Sequence, residues 1–177
     1  EHPVITTDSR ICPEGSIFFA LKGERFDGNK FAADTLSKGC AYAVIDDVTI
    51  VQSAGHDVVG YGLYDRYFLV PDVLTTLQNL AAFHRQHLQI PVIGITGTNG
   101  KTTTKELLNA VLSQKYNVLA TAGNLNNQIG VPLTLLKIRP EHDMAIVEMG
   151  ANHPMDIAEL CDIARPNYGL ITNVGKA

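Results

Sequence analysis

The run Val92-Ile93-Gly94-Ile95-Thr96-Gly97-Thr98-Asn99-Gly100-Lys101-Thr102 constrains this chain more than any other stretch. It reads as an apolar strand, a glycine-rich turn and a helix opening on a lysine, the arrangement of an ATP-binding phosphate loop. A polyphosphate needs many converging donors and a positive charge at its far end. Backbone N–H groups of the turn and the helix N-terminus supply the donors; Lys101 can reach the β- and γ-phosphates, and the Thr102 hydroxyl can ligate Mg²⁺. The spacing is a variant. The common G-x-x-x-x-G-K-[ST] pattern would place glycine at 95, where this chain has Ile95, and its glycines stand at 94, 97 and 100. A turn that merely caps a helix is the plainer reading; the strand, the helix and the Gly-Lys-Thr-Thr-Thr run together favour phosphate binding.

The flanking pattern alternates strands and helices. Helix is expected over 101–114, with Leu107, Leu108, Val111 and Leu112 facing inward, and over 131–138 and 154–164. Strands are expected at 92–95, 117–120, 144–149 and 168–174. Such alternation means βαβ units and a parallel sheet with helices on its faces. Before it, strands are expected at 16–21, 41–45 and 66–70, with a short helix over 29–38. A helix capped by Asp72 then carries Val73, Leu77, Leu80, Ala81 and Leu88 at helical spacing. His84 and His87 in its last turns read as solvated partners of the helix dipole rather than ligands. The fold class is therefore α/β: a small mixed α/β domain over 1–72, then a phosphate-loop-type parallel-sheet domain over 73–177, with helix 73–89 connecting. Glu1-His2-Pro3 begins without Met, and Asn173 to Ala177 stops where a strand hands over to a loop. The chain is thus expected to be a piece of a longer protein, incomplete at its C-terminus.

A metal at the phosphates needs an acid on a neighbouring strand that opens onto the same crevice. Glu148 closes the apolar run Ala145-Ile146-Val147, where an unpaired carboxylate would be costly and a cation partner accounts for it; a strand-end carboxylate facing water is the alternative. The block Asn124-Leu125-Asn126-Asn127-Gln128-Ile129-Gly130 follows the second strand of this domain. Its amides could serve a substrate, or could reflect only the turn preference of Asn and Gly. Asn152 and His153 could orient a substrate or cap the next helix.

With 177 residues, 45% apolar and 18% charged, the chain can bury a core without staples. A formal charge of −4 argues against a general nucleic-acid binder and leaves polyphosphate binding to local groups. No apolar run approaches the ~18–20 residues that span a bilayer, so no membrane insertion is expected. Cys12, Cys40 and Cys161 are odd in number and widely spaced, which fits free thiols in a reducing compartment.

The loop Ile95 to Thr103 resembles the phosphate loop of the Mur ligase family and shares its variant glycine spacing. Gly123 to Leu136 and Glu148-Met149-Gly150-Ala151-Asn152-His153 resemble the branch that joins D-alanyl-D-alanine to UDP-N-acetylmuramoyl-tripeptide. Thr7-Asp8-Ser9-Arg10, Pro13 to Gly23 and Phe26-Asp27-Gly28 are similar to the family's UDP-substrate domain. The resemblance implies ATP-dependent amide formation through an acyl phosphate, in the cytoplasm and by a monomer. Carried over by position, Gly97, Thr98, Asn99, Gly100, Lys101, Thr102 and Thr103 would bind ATP, with Lys101 steadying the transferring phosphoryl group. Thr102 and Glu148 would hold Mg²⁺, Ser9 and Arg10 would contact the UDP end, and Asn126, Asn127 and His153 would face substrate. The family's later metal-binding histidine, its adenine residues and its third domain lie beyond these residues, so this piece alone is expected not to ligate. A sibling amide ligase, a folylpolyglutamate-type synthetase and a UDP-sugar-binding module are the competing expectations. A GTPase would need a segment such as Asn-Lys-x-Asp, which is absent.

Overall fold

The computed structural model describes residues 3–175; the two ends used above, at Glu1-His2 and Lys176-Ala177, lie outside the described residues. The chain divides into two compact units, Glu1–Leu77 and Gln78–Ala177.

The first unit carries β1 (Ile5–Thr6), β2 (Ile17–Phe19), the hairpin β3 (Lys22–Gly23) and β4 (Phe26–Asp27), α1 (Ala32–Ser37), β5 (Tyr42–Ile45), α2 (Val48–Ser53), β6 (Gly62–Tyr64) and β7 (Tyr67–Leu69). Its main sheet has the order β1-β2-β5-β7-β6, parallel except for the antiparallel β6–β7 pair. Phe18, Leu36, Ala43, Ile45, Val51 and Leu69 form its core. The helix expected over 29–38 begins instead as a 3₁₀ turn at Gly28–Phe31 and becomes α-helical only at Ala32. Gly28 packs so close to Leu21 that an added Cβ would lie 2.6 Å from the Leu21 carbonyl oxygen. The Asp27 carboxylate also draws the Asn29 N–H into a tight turn at 3.0 Å.

Helix α3 (Val73–His87) starts where expected, with the Asp72 carboxylate accepting the Thr75 N–H at 2.6 Å. The division between the two units falls inside it. The second unit continues with β8 (Val92–Thr96), α4 (Lys101–Leu112), β9 (Val118–Ala120), α5 (Gly130–Leu135), β10 (Met144–Glu148), α6 (Asp156–Ala164) and β11 (Tyr168–Ile171). The four strands are parallel, in the order β11-β8-β10-β9. Glu148 is level with Ile95 across the β8–β10 ladder, so the phosphate loop and the acidic strand end open on the same side of the sheet. Val92, Val131, Leu135, Val147 and Leu160 anchor the core beneath.

Two expectations are corrected here. Leu107 and Val111 are 65% and 68% exposed, whereas Lys105 is fully buried. The inward face of α4 runs through positions 101, 105, 108 and 112, because the helix must turn Lys101 toward the loop that precedes it; at 100° per residue this puts 107 and 111 well off that face. His84 is not a solvated dipole partner either. It is half-buried, and its Nε2 lies 3.0 Å from the Ile138 carbonyl oxygen.

Candidate functional site

The turn after β8 depends on two left-handed glycines. Gly97 has φ 134° and Gly100 φ 80°, conformations a side chain would strain. Gly100 is the residue that caps α4, so the first N–H groups of that helix, from Lys101 onward, face out of the turn. The segment leaving β11 braces the loop from the side. Thr172 Oγ1 donates to the Asn99 carbonyl at 2.6 Å, the Asn99 N–H donates to Asn173 Oδ1 at 2.9 Å, and the Gly175 N–H donates to Thr98 Oγ1 at 3.1 Å. Lys101 folds back on the loop, its ammonium donating to the Gly97 carbonyl at 2.7 Å and to that of Thr98 at 3.4 Å. Thr96, Gly97, Thr98, Lys101, Ala151 and Asn173 line an open cavity of about 380 Å³ there. Lys101 thus stands on the wall of that cavity. Thr103 is exposed on the first turn of α4.

Glu148 is 1% exposed and is held from three sides. Its N–H donates to Thr121 Oγ1 at 2.9 Å; its Oε1 accepts from Asn126 Nδ2 at 2.8 Å, and its Oε2 from the Thr102 hydroxyl at 3.0 Å. The structure thus brings Thr102, Glu148 and Asn126 together one residue from Lys101. Among the described residues no group of three or more His, Cys, Asp or Glu is placed to hold a metal. One carboxylate and one hydroxyl are all-oxygen donors. They suit Mg²⁺, which takes one or two protein ligands and completes its shell with phosphate oxygens and water.

The two adjacent asparagines take different partners. Asn126 reaches Glu148, and its carbonyl accepts the Gly150 N–H at 2.7 Å. Asn127 serves the turn: its Oδ1 accepts the N–H groups of Ile129 and Gly130 at 3.1 and 2.9 Å. Its side chain is exposed, as is that of His153. The loop carrying His153 is organised by Asp156, whose Oδ2 accepts the N–H groups of Asn152 and His153 at 2.8 and 2.9 Å while Oδ1 accepts from Gln128 Nε2 at 2.9 Å. These backbone donors hold the Asp156 carboxyl below the usual carboxylate range.

In the first unit, Thr7, Asp8, Ser9, Arg10, Phe26 and Phe31 line a cavity of about 510 Å³. Phe26 and Phe31 stack with ring centroids 5.5 Å apart and planes within 11°, and both rings are partly exposed. The Arg10 guanidinium donates to both Asp8 carboxylate oxygens, at 2.8 and 2.6 Å, which draws the Asp8 carboxyl down to about 2. Ser9 and Arg10 therefore sit together, and Arg10 is pre-oriented by its neighbour.

Sequence reasoning missed Lys105, the Phe26–Phe31 stack and the Gln128–Asp156 pair. The Phe-x₄-Phe spacing beside Asp27-Gly28 was a usable signal for the stack. A lysine on an amphipathic helix carries no such mark, since lysines default to the surface.

Comparison with known proteins gives a consistent result. The Mur ligase family, catalytic domain, matches residues 3–85, and the Mur ligase middle domain matches residues 95–177. A UDP-N-acetylmuramoyl-tripeptide–D-alanyl-D-alanine ligase from a Synechocystis species is 51% identical over 98% of this chain and 36% of its own length. The Escherichia coli protein of the same name is 40% identical over 98% and 36%. A MurF ligase structure from Thermotoga maritima in complex with ADP superposes with a TM-score of 0.83 at 36% identity, covering 99% of this chain and 38% of that one. An Acinetobacter baumannii MurF structure gives the same TM-score at 40% identity, covering 98% and 36%. The chain thus spans about a third of the length of the relatives it matches.

Proposed function

Because the chain belongs to the Mur ligase family, we propose that it forms the UDP-substrate and phosphate-binding part of an ATP-dependent ligase that joins D-alanyl-D-alanine to UDP-N-acetylmuramoyl-tripeptide. The reaction is a step of peptidoglycan precursor synthesis, carried out in the cytoplasm. The observation that carries this reading is the Thr102 hydroxyl 3.0 Å from the buried Glu148 carboxylate, beside Lys101 and under the N-terminus of α4.

Residues 1–72 take the UDP end. The stacked Phe26 and Phe31 offer a flat face to a pyrimidine ring, and Ser9 and Arg10 offer a hydroxyl and a cation beside it. From residue 73 onward the chain holds ATP. The backbone N–H groups of Gly97 to Thr103 take the phosphates, and Lys101 exchanges its two loop carbonyls for the terminal phosphate. Thr102 and Glu148 hold Mg²⁺, which when bound neutralises charge on the phosphate oxygens. That neutralisation is needed because the tripeptide carboxylate must approach a triphosphate. One unit-charge repulsion at 4 Å and an effective dielectric near 20 is about 4 kcal/mol, or roughly three powers of ten in rate. The carboxylate oxygen attacks the γ-phosphorus and ADP leaves; the dipeptide amine then attacks the acyl carbon, loses a proton and expels inorganic phosphate. Asn126 keeps Glu148 oriented, while Asn127 and His153 face the incoming substrate.

The test is phosphate release by the complete ligase carrying this chain. Release should require ATP, UDP-N-acetylmuramoyl-tripeptide and D-alanyl-D-alanine together, and the chain on its own should show none. Equal release with a single amino acid in place of the dipeptide, or with a folate and glutamate, assigns the chain to another branch. Nucleotide-independent UDP-substrate binding, with no phosphate release by the complete protein, reduces it to a binding module.

A further inference from the structure

Among the described residues Lys105 is the largest fully buried charged side chain, and the reaction above does not use it. It sits on α4 one turn beyond Lys101 and is fully buried. An ammonium has three donors, and here each has a partner: the Thr121 carbonyl at 2.8 Å, the Gly123 carbonyl at 3.2 Å and Glu106 Oε1 at 2.9 Å. Burying a cation is costly where an aliphatic side chain would fill the same space, so the tie is there for its geometry. The two carbonyls flank the turn at which the chain leaves β9, where Gly123 takes φ 55°.

That turn opens the asparagine loop, and both ends of the loop clasp the acidic strand end. Before the turn, Thr121 Oγ1 accepts the Glu148 N–H at 2.9 Å. After it, Asn126 Nδ2 donates to Glu148 Oε1 at 2.8 Å and the Asn126 carbonyl accepts the Gly150 N–H at 2.7 Å. Gly150 leaves Asn126 no slack, since an added Cβ would lie 2.9 Å from Asn126 Oδ1. The chain of contacts runs from the phosphate-loop helix through Lys105 to the loop, and from the loop to the carboxylate that faces Thr102.

We infer that Lys105 is a positioning residue: its buried ammonium locks the asparagine loop onto Glu148 and so sets the magnesium affinity of the site without touching nucleotide. This rests on the magnesium role given to Glu148 above. Lys105 makes no bond to the Gly97–Gly100 turn, so metal-free phosphate binding should not depend on it.

The experiment is calorimetric titration of this chain with ADP, once with Mg²⁺ and once with EDTA, for the wild type and for Lys105→Met. The methionine fills the space but donates nothing. ADP affinity in Mg²⁺ should fall by about tenfold or more, the range for losing a group that orients a metal ligand, while affinity in EDTA stays within about twofold. Lys105→Gln, which retains a donor for one carbonyl, should show the same selective loss at smaller size, and it carries the test if the methionine variant does not fold. Wild-type affinities in both media, or equal weakening in both, would overturn the inference by making Lys105 inert or merely structural. A wild type whose ADP affinity ignores Mg²⁺ would instead refute the magnesium role itself, and the inference with it.

Discussion

Glu148→Gln should separate stability from function, because the two respond to this residue with opposite sign. The carboxylate is 1% exposed and accepts from Asn126 at 2.8 Å and Thr102 at 3.0 Å; among the described residues no cationic side chain is a hydrogen-bond partner of it. A glutamine fits the same space. Its amide oxygen can keep the Asn126 bond, and its amide nitrogen can donate to Thr102 once that hydroxyl turns to accept. Each bond then drops from the range of about 1.5–3 kcal/mol for a charged acceptor to about 0.5–1.5 for a neutral one, a combined loss of roughly 2–3 kcal/mol. Against this, the variant no longer buries an ion, a cost of several kcal/mol in proteins. The two nearly offset, with the balance favouring the variant by up to about 2 kcal/mol, so the thermal midpoint should hold or rise by a few degrees. Magnesium-dependent ADP binding should fall by about ten- to a hundredfold. The assay is a thermal melt paired with the two titrations described for Lys105. A midpoint lowered by more than about 5 °C with magnesium dependence intact would refute the reasoning and make Glu148 a structural anchor.

Two further outcomes follow from the same geometry. In the complete ligase, Lys101→Ala should lower kcat by about a hundredfold or more, with UDP-substrate affinity by calorimetry within about twofold; an unchanged kcat removes Lys101 from the chemistry. Asp156 titrates below its ordinary value because it accepts the Asn152 and His153 N–H groups. The unfolded chain therefore binds its proton first as pH falls. The stabilisation is complete above the ordinary carboxylate pKa near 4 and is lost as pH drops through the lower, folded value. Denaturant midpoints measured from pH 6 to pH 2 should fall less steeply in Asp156→Asn than in the wild type, and parallel curves would contradict the assignment.

The parts legible in the sequence were those with long periodicity or a fixed motif. Strand β8, the glycine turn and helix α4 announce one another, and Glu148 stands out as an acid closing an apolar run. Strands β1, β3, β4 and β6 are two or three residues long, too short for alternation to register, and tertiary pairing alone defines them. Helix α2 spans six residues, less than two turns, too few for helical spacing to register. The face of α4 was misread because Leu107 and Val111 form an apolar stripe as convincing as Leu108 and Leu112. The deciding fact, that Lys101 must face the loop, is geometric rather than compositional. Asn126 and Asn127 are chemically identical neighbours, and only the backbone direction gives one to Glu148 and the other to the start of α5. Lys105 was invisible for the same reason: its burial depends on two carbonyls sixteen and eighteen residues away in sequence.

The whole account requires a metal–triphosphate to settle between the glycine turn and the end of β10. A crystal structure of this chain with Mn²⁺ and a non-hydrolysable ATP analogue tests that most directly, because manganese reports its own position by anomalous scattering. The account predicts a manganese peak within coordination distance, about 2.0–2.3 Å, of Thr102 Oγ1 and beside the Glu148 carboxylate. It also predicts that the Lys101 ammonium will have moved from the Gly97 carbonyl onto a phosphate oxygen. A nucleotide bound elsewhere, or a peak remote from both oxygens with Lys101 still on Gly97, would contradict it.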